Sequence, residues 1–337
     1  MRQNCFDFLR FLFAFIVVVG HTIVLTQQPA YQPLKPFADT MLSVTGFFVI
    51  SGFLISRSYK HSTSAASYFA KRAKRLLPAY VTVILCCAFA FCAISSLPAK
   101  DYFSNNLFLK YLGANLSFLN FIQPCLPGVF DSNYMCAVNG ALWTLKIEIG
   151  FYLILPLLIY LIRKCGKYDW LLMATIYIMA VAYRHLFAAL GENSHIYSML
   201  GHQLPAFMSY FAVGIFAETY FDHIIKHKNK WCIPALLTAA VEYHFECEYL
   251  FPLAFGLLIV YCAYSLPLLN KFGRYGDISY GIYIWHFPII QLLIHFGLFD
   301  SVPVWLAFAI TILCVLVMGL LSWNLIEKHF LKHRSTY

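Results

Sequence analysis

The chain has 337 residues, of which 61% are hydrophobic and 12% are charged. So few charged residues cannot cover a soluble globule of this length, which excludes a soluble domain and predicts an all-α integral membrane protein. The formal net charge of +9 would suit a nucleic-acid partner. However, the basic residues lie in short segments between apolar runs, as they do in membrane proteins, so we expect no nucleic-acid partner.

The first apolar run, residues 6–26, predicts a membrane-spanning helix that carries two ionisable side chains. Arg10 and His21 are eleven residues apart, which places them on one face of a helix with about 16 Å between them. Ionisable residues inside a membrane usually face a partner or a polar cavity. Two simpler interpretations remain open: Arg10 as a flank that reaches the cytoplasmic surface, paired with Asp7, and His21 as a helix-packing residue.

Ten apolar runs predict about ten transmembrane helices. They lie near residues 6–26, 38–56, 78–98, 141–162, 169–190, 203–221, 231–246, 248–269, 278–297 and 303–326. With a cytoplasmic N-terminus, 19 of the 24 lysine and arginine residues fall inside and three fall in outside loops, which predicts that both termini are cytoplasmic. The seventh run is the shortest and carries three ionisable residues, Glu242, His244 and Glu246. It is retained as a predicted helix, because without it residues 270–277 and the C-terminus would lie on the opposite side from this count.

Residues 99–140 form the one long loop that is predicted to lie outside. The loop mixes apolar stretches with prolines and a glycine, which favours interfacial or re-entrant segments and a position as a lid. Among the 11 cysteines, only Cys125 and Cys136 share a polar loop. A disulfide between them and two free thiols both remain open.

The second and third runs contain two further candidate sites. Ser51 lies in GFFVISGFLIS, where a small residue suits the close approach of a ligand and equally the packing of two helices. Arg72 and Arg75 are three residues apart and therefore project from the same side of a helical turn. This pair suits bidentate binding of phosphate groups, and equally the attraction of anionic lipid headgroups at the cytoplasmic surface.

The fourth and ninth runs carry the remaining polar candidates. The fourth opens with ALWTLKIEIGFYLILP, which places Glu148 about 10 Å below the outer surface. His21 is predicted in the same outer half, so the two side chains are candidates for a carboxylate–imidazole pair. The ninth carries SYGIYIWHFP, where Ser279, Tyr283 and His286 share one helical face. We expect His286 nearer the cytoplasmic half.

Five motifs in this order resemble the acyltransferase-3 family of polytopic bacterial membrane O-acyltransferases. They are Asp7 and Arg10 with His21, FFVISGFLIS, the Arg72 and Arg75 pair, WTLKIEIGFY, and SYGIYIWHFP. The resemblance implies a fold of roughly ten helices, an acyl-coenzyme A donor from the cytosol and a glycan acceptor on the far side. It also implies functional roles for Arg10, His21, Arg72 and Arg75.

The chain also departs from the family pattern at two positions. Thr144 stands where serine is common, and His329 stands where proline is usual. Residues 1–337 are expected to form a single acyltransferase-3-like domain, without the C-terminal extracytoplasmic esterase-like domain that some members carry.

The leading hypothesis is an acetyl-coenzyme A-dependent O-acetyltransferase of the bacterial inner membrane, with acyl groups other than acetyl left open. Its acceptor would be a cell-envelope glycan or a lipid-linked saccharide, and membrane lipids are further partners. His21 is expected to be the general base, with Arg10 and Glu148 as further catalytic residues; a covalent acyl-histidine relay is the alternative. Neither a metal nor a resident cofactor is expected. Donor binding is assigned to five residues: Arg72, Arg75, Ser51, Tyr283 and His286.

The rival hypothesis is a polytopic transporter or channel for a small solute or an acyl group. In such a protein the buried charges would form a path for a substrate or for protons. The arginine pair at the cytoplasmic rim and the lack of an obvious internal repeat favour the enzyme instead.

Overall fold

A computed structural model describes residues 4–331, and of Tyr275 it describes the backbone alone. Within these residues the chain is helical and contains no β-strand. The α-helices are α1 Phe6–Thr26, α2 Thr40–Lys60, α3 Ala65–Ala90, α4 Ala99–Ser104, α5 Asn106–Leu116, α6 Trp143–Cys165, α7 Asp169–Gly191, α8 His195–Leu200, α9 Leu204–Thr219, α10 Phe221–Lys226, α11 Lys228–His244, α12 Phe251–Ala263, α13 Ser279–His295, α14 Leu298–Ser301, α15 Val304–Ser322 and α16 Lys328–Phe330. Short 3₁₀-helices lie at Pro29–Phe37, Phe91–Ile94, Gly140–Leu142, Gly166–Tyr168, Pro267–Leu269 and Phe272–Tyr275, and a π-helix at Trp323–Glu327.

Each of the ten runs predicted from the sequence overlaps a helix, namely α1, α2, α3, α6, α7, α9, α11, α12, α13 and α15, although α3 begins and ends well before its predicted run. By length and composition, five helical stretches within residues 4–331 could cross a membrane. The count is six if the bent pair Phe251–Ala263 and Pro267–Arg274 forms one span. One of the five, Gly140–Gly191, contains both α6 and α7, which are separated at Gly166 by a left-handed backbone conformation with φ +53°.

The length test leaves out three helices of the predicted set. Helices α9, α11 and α13 have 16 or 17 residues, fewer than the about 20 that cross the hydrocarbon core. The number of ten spans and the cytoplasmic position of both termini therefore stay predictions. Arg2 and residues 332–337, which enter the charge count, lie outside the described residues.

Large apolar side chains point outward from several long helices. On α6, Leu153 and Leu157 are 64% and 55% exposed, and on α15 Leu313 is 61% exposed. In water such faces would oppose folding, whereas in a bilayer they contact lipid tails. The fold therefore has the surface of a multi-pass membrane protein.

The first of two compact units comprises Met1–Leu9, Val44–Phe69 and Ile147–Phe272. Helix α9 is buried along most of its length and packs against α7 and α12, and α12 packs against α11. Helix α2 approaches α9 at Gly52, where a methyl group would lie only 3.1 Å from Cα of Gly214. Gly52 of the GFFVISGFLIS motif is therefore a helix-contact residue.

The second unit comprises Arg10–Ser43, Ala70–Lys146 and Gly273–Tyr337. Helix α13 packs against α15. The segment after α1 contacts the start of α15, where the hydroxyl of the buried Tyr31 donates a hydrogen bond to the Val304 carbonyl at 2.5 Å. Gly276 precedes α13 with φ +136°, and the Trp323 indole lies so close that a side chain there would also clash. This turn sets where α13 begins.

Candidate active site

Helices α1 and α13 are joined by side chains at two levels within the second unit. Near the start of α1, Arg10 Nη1 lies 3.3 Å from Asp277 Oδ2, two residues before α13. Eleven residues along α1, Nδ1 of His21 lies 2.7 Å from Nε2 of His286. At 1.5 Å rise per residue the two levels are about 16 Å apart. The polar stripe predicted on α1 therefore faces α13 at both depths.

The two histidine rings lie edge to edge in nearly one plane. Their ring centroids are 5.0 Å apart with 7° between the planes, and the Phe287 ring meets His21 edge-on at 5.4 Å. His286 is fully buried, and its Nδ1 lies 2.7 Å from the Tyr283 carbonyl oxygen. His21 thus contacts a second titratable side chain, which the packing interpretation did not include.

The prediction that His286 lies nearer the cytoplasmic half than His21 was wrong. The 2.7 Å contact puts both rings at one depth. The reason is that Asp277, rather than the first residue of α13, lies level with Arg10. Helix α1 begins four residues before Arg10, whereas α13 begins two residues after Asp277, so counting from each helix start misjudged the relative depth.

The start of α6 packs against α13 one turn from the histidine pair. The Tyr283 hydroxyl lies 2.6 Å from Oγ1 of Thr144 and 3.2 Å from the Ala141 carbonyl oxygen, to which it donates. Asn139 Nδ2 donates to the Ile284 carbonyl at 2.8 Å. Thr144, a departure from the family pattern, still supplies the hydroxyl that meets Tyr283. The structure therefore places Tyr283 in a buried hydrogen-bond network next to His286.

The other level of α1 and α13 is a charged cluster around Asp277. Its Oδ2 lies 2.6 Å from Arg75 Nη2 and 3.3 Å from Arg10 Nη1, and its Oδ1 accepts from the Ser279 hydroxyl at 2.5 Å. Burial raises the pKa of Asp277, but the Arg75 and Arg10 guanidinium groups outweigh burial and hold the pKa below its ordinary value. Asp277 is therefore an ionised link between α1, α3 and α13.

A second carboxylate approaches the same cluster from the end of α15. Glu327 is 1% exposed, lies in the π-helix and places Oε2 3.7 Å from Arg75 Nη1. Ser322 donates to its other oxygen at 2.9 Å. Arg72 lies three residues before Arg75 on α3 and is half-buried. Arg75 is therefore held by two carboxylates of the chain itself, and binding of donor phosphates by the arginine pair stays a prediction.

Sequence reasoning missed Asp277. It did not enter the site prediction because it lies in a loop, outside every motif, although it directly precedes SYGIYIWHFP. Its only sequence signal was an acidic side chain directly before a predicted span, which is ordinary in a membrane protein.

Ser51 and Glu148 lie in the first unit and contact each other. The Ser51 hydroxyl donates to Oε1 of Glu148 at 2.7 Å, which joins α2 to α6. Ser51 is 7% exposed, and this bond gives its buried hydroxyl a hydrogen-bond partner. The predicted pair of Glu148 with His21 involves residues of both units and stays a prediction.

The loop predicted to lie outside contains α4, α5 and a disulfide between Cys125 and Cys136. The disulfide segment is fastened to α13 by Gln291, whose Nε2 donates to the Met135 and Ala137 carbonyls at 2.7 Å each. Gln291 is fully buried and follows His286 by five residues, so the disulfide lies toward the histidine end of α13. Disulfides persist in oxidising compartments, which supports an extracytoplasmic position for this end. Gln291 is a second residue that sequence reasoning missed.

Within residues 4–331, no three histidine, cysteine or acidic side chains lie close enough together to hold a metal ion. What the second unit offers is an imidazole pair at one level of α1 and α13, with His286 fully buried and His21 half-buried, and an arginine–carboxylate cluster at the other level. An imidazole can move a proton, and arginines can bind an anionic group. This combination, in a helical fold with outward apolar faces, fits a membrane enzyme that transfers a group.

Comparison with known proteins agrees with this class. Residues 3–323 match the acyltransferase domain family, so the chain belongs to the acyltransferase-3 family. It is 28% identical to an O-acetyl transferase of Shigella phage Sf6 over 99% of this chain and 98% of the relative. It is 26% identical to nodulation protein 10 of Rhizobium leguminosarum bv. viciae, over 99% and 95%.

A third relative is longer than this chain. The O-acetyltransferase OatA of Staphylococcus aureus is 24% identical over 85% of this chain, which covers 52% of that protein. No solved structure matches.

Proposed function

We propose that the protein is a membrane O-acetyltransferase that moves an acetyl group from acetyl-coenzyme A to a hydroxyl of a cell-envelope glycan or a lipid-linked saccharide. Membership of the acyltransferase family and the O-acetyl transferase relatives support transfer to oxygen. The observation that carries the proposal is the His21–His286 pair at 2.7 Å, which gives a half-buried imidazole base.

In the proposed reaction His21 is the general base. Its imidazole takes the proton of the acceptor hydroxyl while the hydroxyl oxygen forms a bond to the thioester carbonyl carbon. The C–S bond then breaks, and the leaving thiolate of coenzyme A takes a proton from the His21 imidazolium. The products are an O-acetyl ester and free coenzyme A, so the enzyme returns to its starting state.

The Asp277 cluster is the proposed donor end of the site. Coenzyme A carries phosphate groups, and arginine binds phosphate through two parallel hydrogen bonds. Arg75 lies closer to Asp277, at 2.6 Å, than to Glu327, at 3.7 Å. A donor phosphate therefore competes more easily with Glu327 than with Asp277. Arg72, one turn earlier on the same helix, adds a second positive charge.

The disulfide loop supports one orientation for the proposed reaction. Its attachment to α13 through Gln291 supports an acceptor that approaches the histidine pair from the oxidising side. The arginine cluster, about 16 Å away along α1, then faces the cytosol, where acetyl-coenzyme A is made. Donor and acceptor would enter from opposite ends.

The test is mass spectrometry of envelope glycans from cells that express wild-type protein, His21→Ala or the control His244→Gln, an exposed histidine at the end of α11. Wild type and control should add acetyl groups to a glycan. The acetylation activity of His21→Ala should be at least about 100-fold lower than that of the wild type when the two proteins are equally abundant in the membrane. Glycans that are unchanged by the wild-type protein would refute the proposal and favour a transporter.

A further inference from the structure

His286 has both ring nitrogens occupied by other groups of the chain. Nδ1 lies 2.7 Å from the Tyr283 carbonyl oxygen and 3.3 Å from that of Ile282, and Nε2 lies 2.7 Å from His21. The ring is fully buried. No ring nitrogen of His286 is left for a donor molecule, which argues against the donor-binding role that the sequence suggested.

We propose instead that His286 is a positioning residue, which sets the tautomer of His21 so that Nε2 of His21 is the atom that accepts the substrate proton. The inference rests on the proposed function, because it assigns a role for the same base.

The tautomers follow from the chemistry of the partners. A carbonyl oxygen can only accept, so Nδ1 of a neutral His286 must carry the hydrogen that it donates to Tyr283. Nε2 of His286 then has a lone pair and accepts. Because it lies 2.7 Å from Nδ1 of His21, that atom must carry the hydrogen. Nε2 of a neutral His21 is thereby left without a hydrogen and free to act as the base.

The same bond helps after the proton has moved. When Nε2 of His21 takes the proton of the hydroxyl, the ring becomes an imidazolium, and its Nδ1–H donates a charge-assisted hydrogen bond to His286. The hydrogen bond to His286 and the T-shaped contact with Phe287 hold His21 in place through this step. A third group that orients a base is the arrangement by which hydrolytic triads work, with a neutral imidazole here in place of a carboxylate.

The direct test is ¹⁵N NMR of the purified protein with labelled histidine, in which a His21→Gln variant identifies the His21 signals among the 12 histidines. At a pH where the ring is neutral, Nδ1 of His21 should carry the hydrogen and Nε2 should not. The opposite tautomer, with the hydrogen on Nε2, would overturn the proposal. Because this measurement needs no turnover, it can fail while acetyl transfer succeeds, or succeed while acetyl transfer fails.

Two variants separate positioning from donor binding. In His286→Gln the amide oxygen can still accept from His21, so most activity should remain. His286→Leu removes the acceptor and should lower kcat for labelled acetyl transfer into membranes by roughly 10- to 100-fold, with KM for acetyl-coenzyme A unchanged. A raised KM with unchanged kcat in either variant would assign His286 to the donor and overturn the proposal. If the leucine variant does not fold, the glutamine variant and the wild-type tautomer decide.

Discussion

Replacing Asp277 with asparagine (Asp277→Asn) removes the charge that joins three helices. In the wild type this carboxylate accepts from Arg75 at 2.6 Å, from Arg10 at 3.3 Å and from the Ser279 hydroxyl at 2.5 Å. The amide keeps the shape and part of the hydrogen bonding. Two half-buried guanidinium groups lose their shared counter-charge, and we expect the second unit to be destabilised.

The size of the loss follows from burial. Removing one partner of a buried ion pair costs about 3–5 kcal/mol. The side chains of Arg10 and Arg75 keep 24% and 21% exposure, and Arg75 retains Glu327 at 3.7 Å. We therefore expect a smaller loss of about 2–3 kcal/mol. With an unfolding entropy of about 2.1 cal/mol/K per residue, the thermal midpoint should fall by about 3–4 °C.

The assay is thermal unfolding of detergent-purified protein, followed by tryptophan fluorescence, with Asp300→Asn as the control because Asp300 is exposed on α14. The pKa of Asp277 lies below its ordinary value, so the contribution of this carboxylate to stability is present above about pH 4 and is lost only as pH falls through the lower folded pKa. The destabilisation by Asp277→Asn should thus still be present at about pH 5, above the pKa of this carboxyl group. Equal midpoints for Asp277→Asn and Asp300→Asn would refute this account of the cluster.

Two further predictions concern topology and the donor. A membrane-impermeant maleimide applied to intact cells should reach Cys125 and Cys136 only after reduction, and it should leave Cys165, between α6 and α7, unlabelled; labelling of Cys165 without lysis would invert the orientation. Arg75→Lys should weaken binding of acetyl-coenzyme A in calorimetric titration, because lysine keeps the charge and loses the planar fork, and Arg75→Ala should weaken it more. Equal binding by wild type and Arg75→Lys would favour the lipid-headgroup interpretation, in which charge alone matters.

Ten of the helices were predictable because each contains an apolar run with polar breaks on both sides. Helix α1 ends at Thr26, where Gln27 takes a left-handed φ of +53° and Pro29 follows. The one-sided stripe of Arg10 and His21 was predictable for the same reason, since spacing along one helix fixes relative direction. Cys125 and Cys136 were found as a candidate pair because only they share a polar loop.

The partners of these residues were not predictable from one sequence. His21 and His286 are separated by 265 residues, and their contact depends on α1 and α13 lying side by side. Periodicity gives the face of a helix but not its neighbour or its relative height. That is why the expected depth of His286 was wrong and why its role changed from donor binding to the proposed positioning of His21.

Asp277 and Gln291 were missed for a related reason. Each lies near an end of α13, and the importance of each comes from what tertiary packing brings to it: two arginines for Asp277, and the carbonyls of Met135 and Ala137 for Gln291. A single polar residue near the end of an apolar run is ordinary in a membrane protein. Only the packed structure distinguishes these two from others of their kind.

The central claim is that acetyl transfer depends on the imidazole of His21. Its most direct test is the incorporation of label from acetyl-coenzyme A, labelled in the acetyl group, into the glycan fraction of membranes that contain equal amounts of wild type, His21→Gln or His244→Gln. The account predicts label in wild type and in His244→Gln, and loss of label in His21→Gln. Incorporation by His21→Gln at the wild-type rate would contradict it.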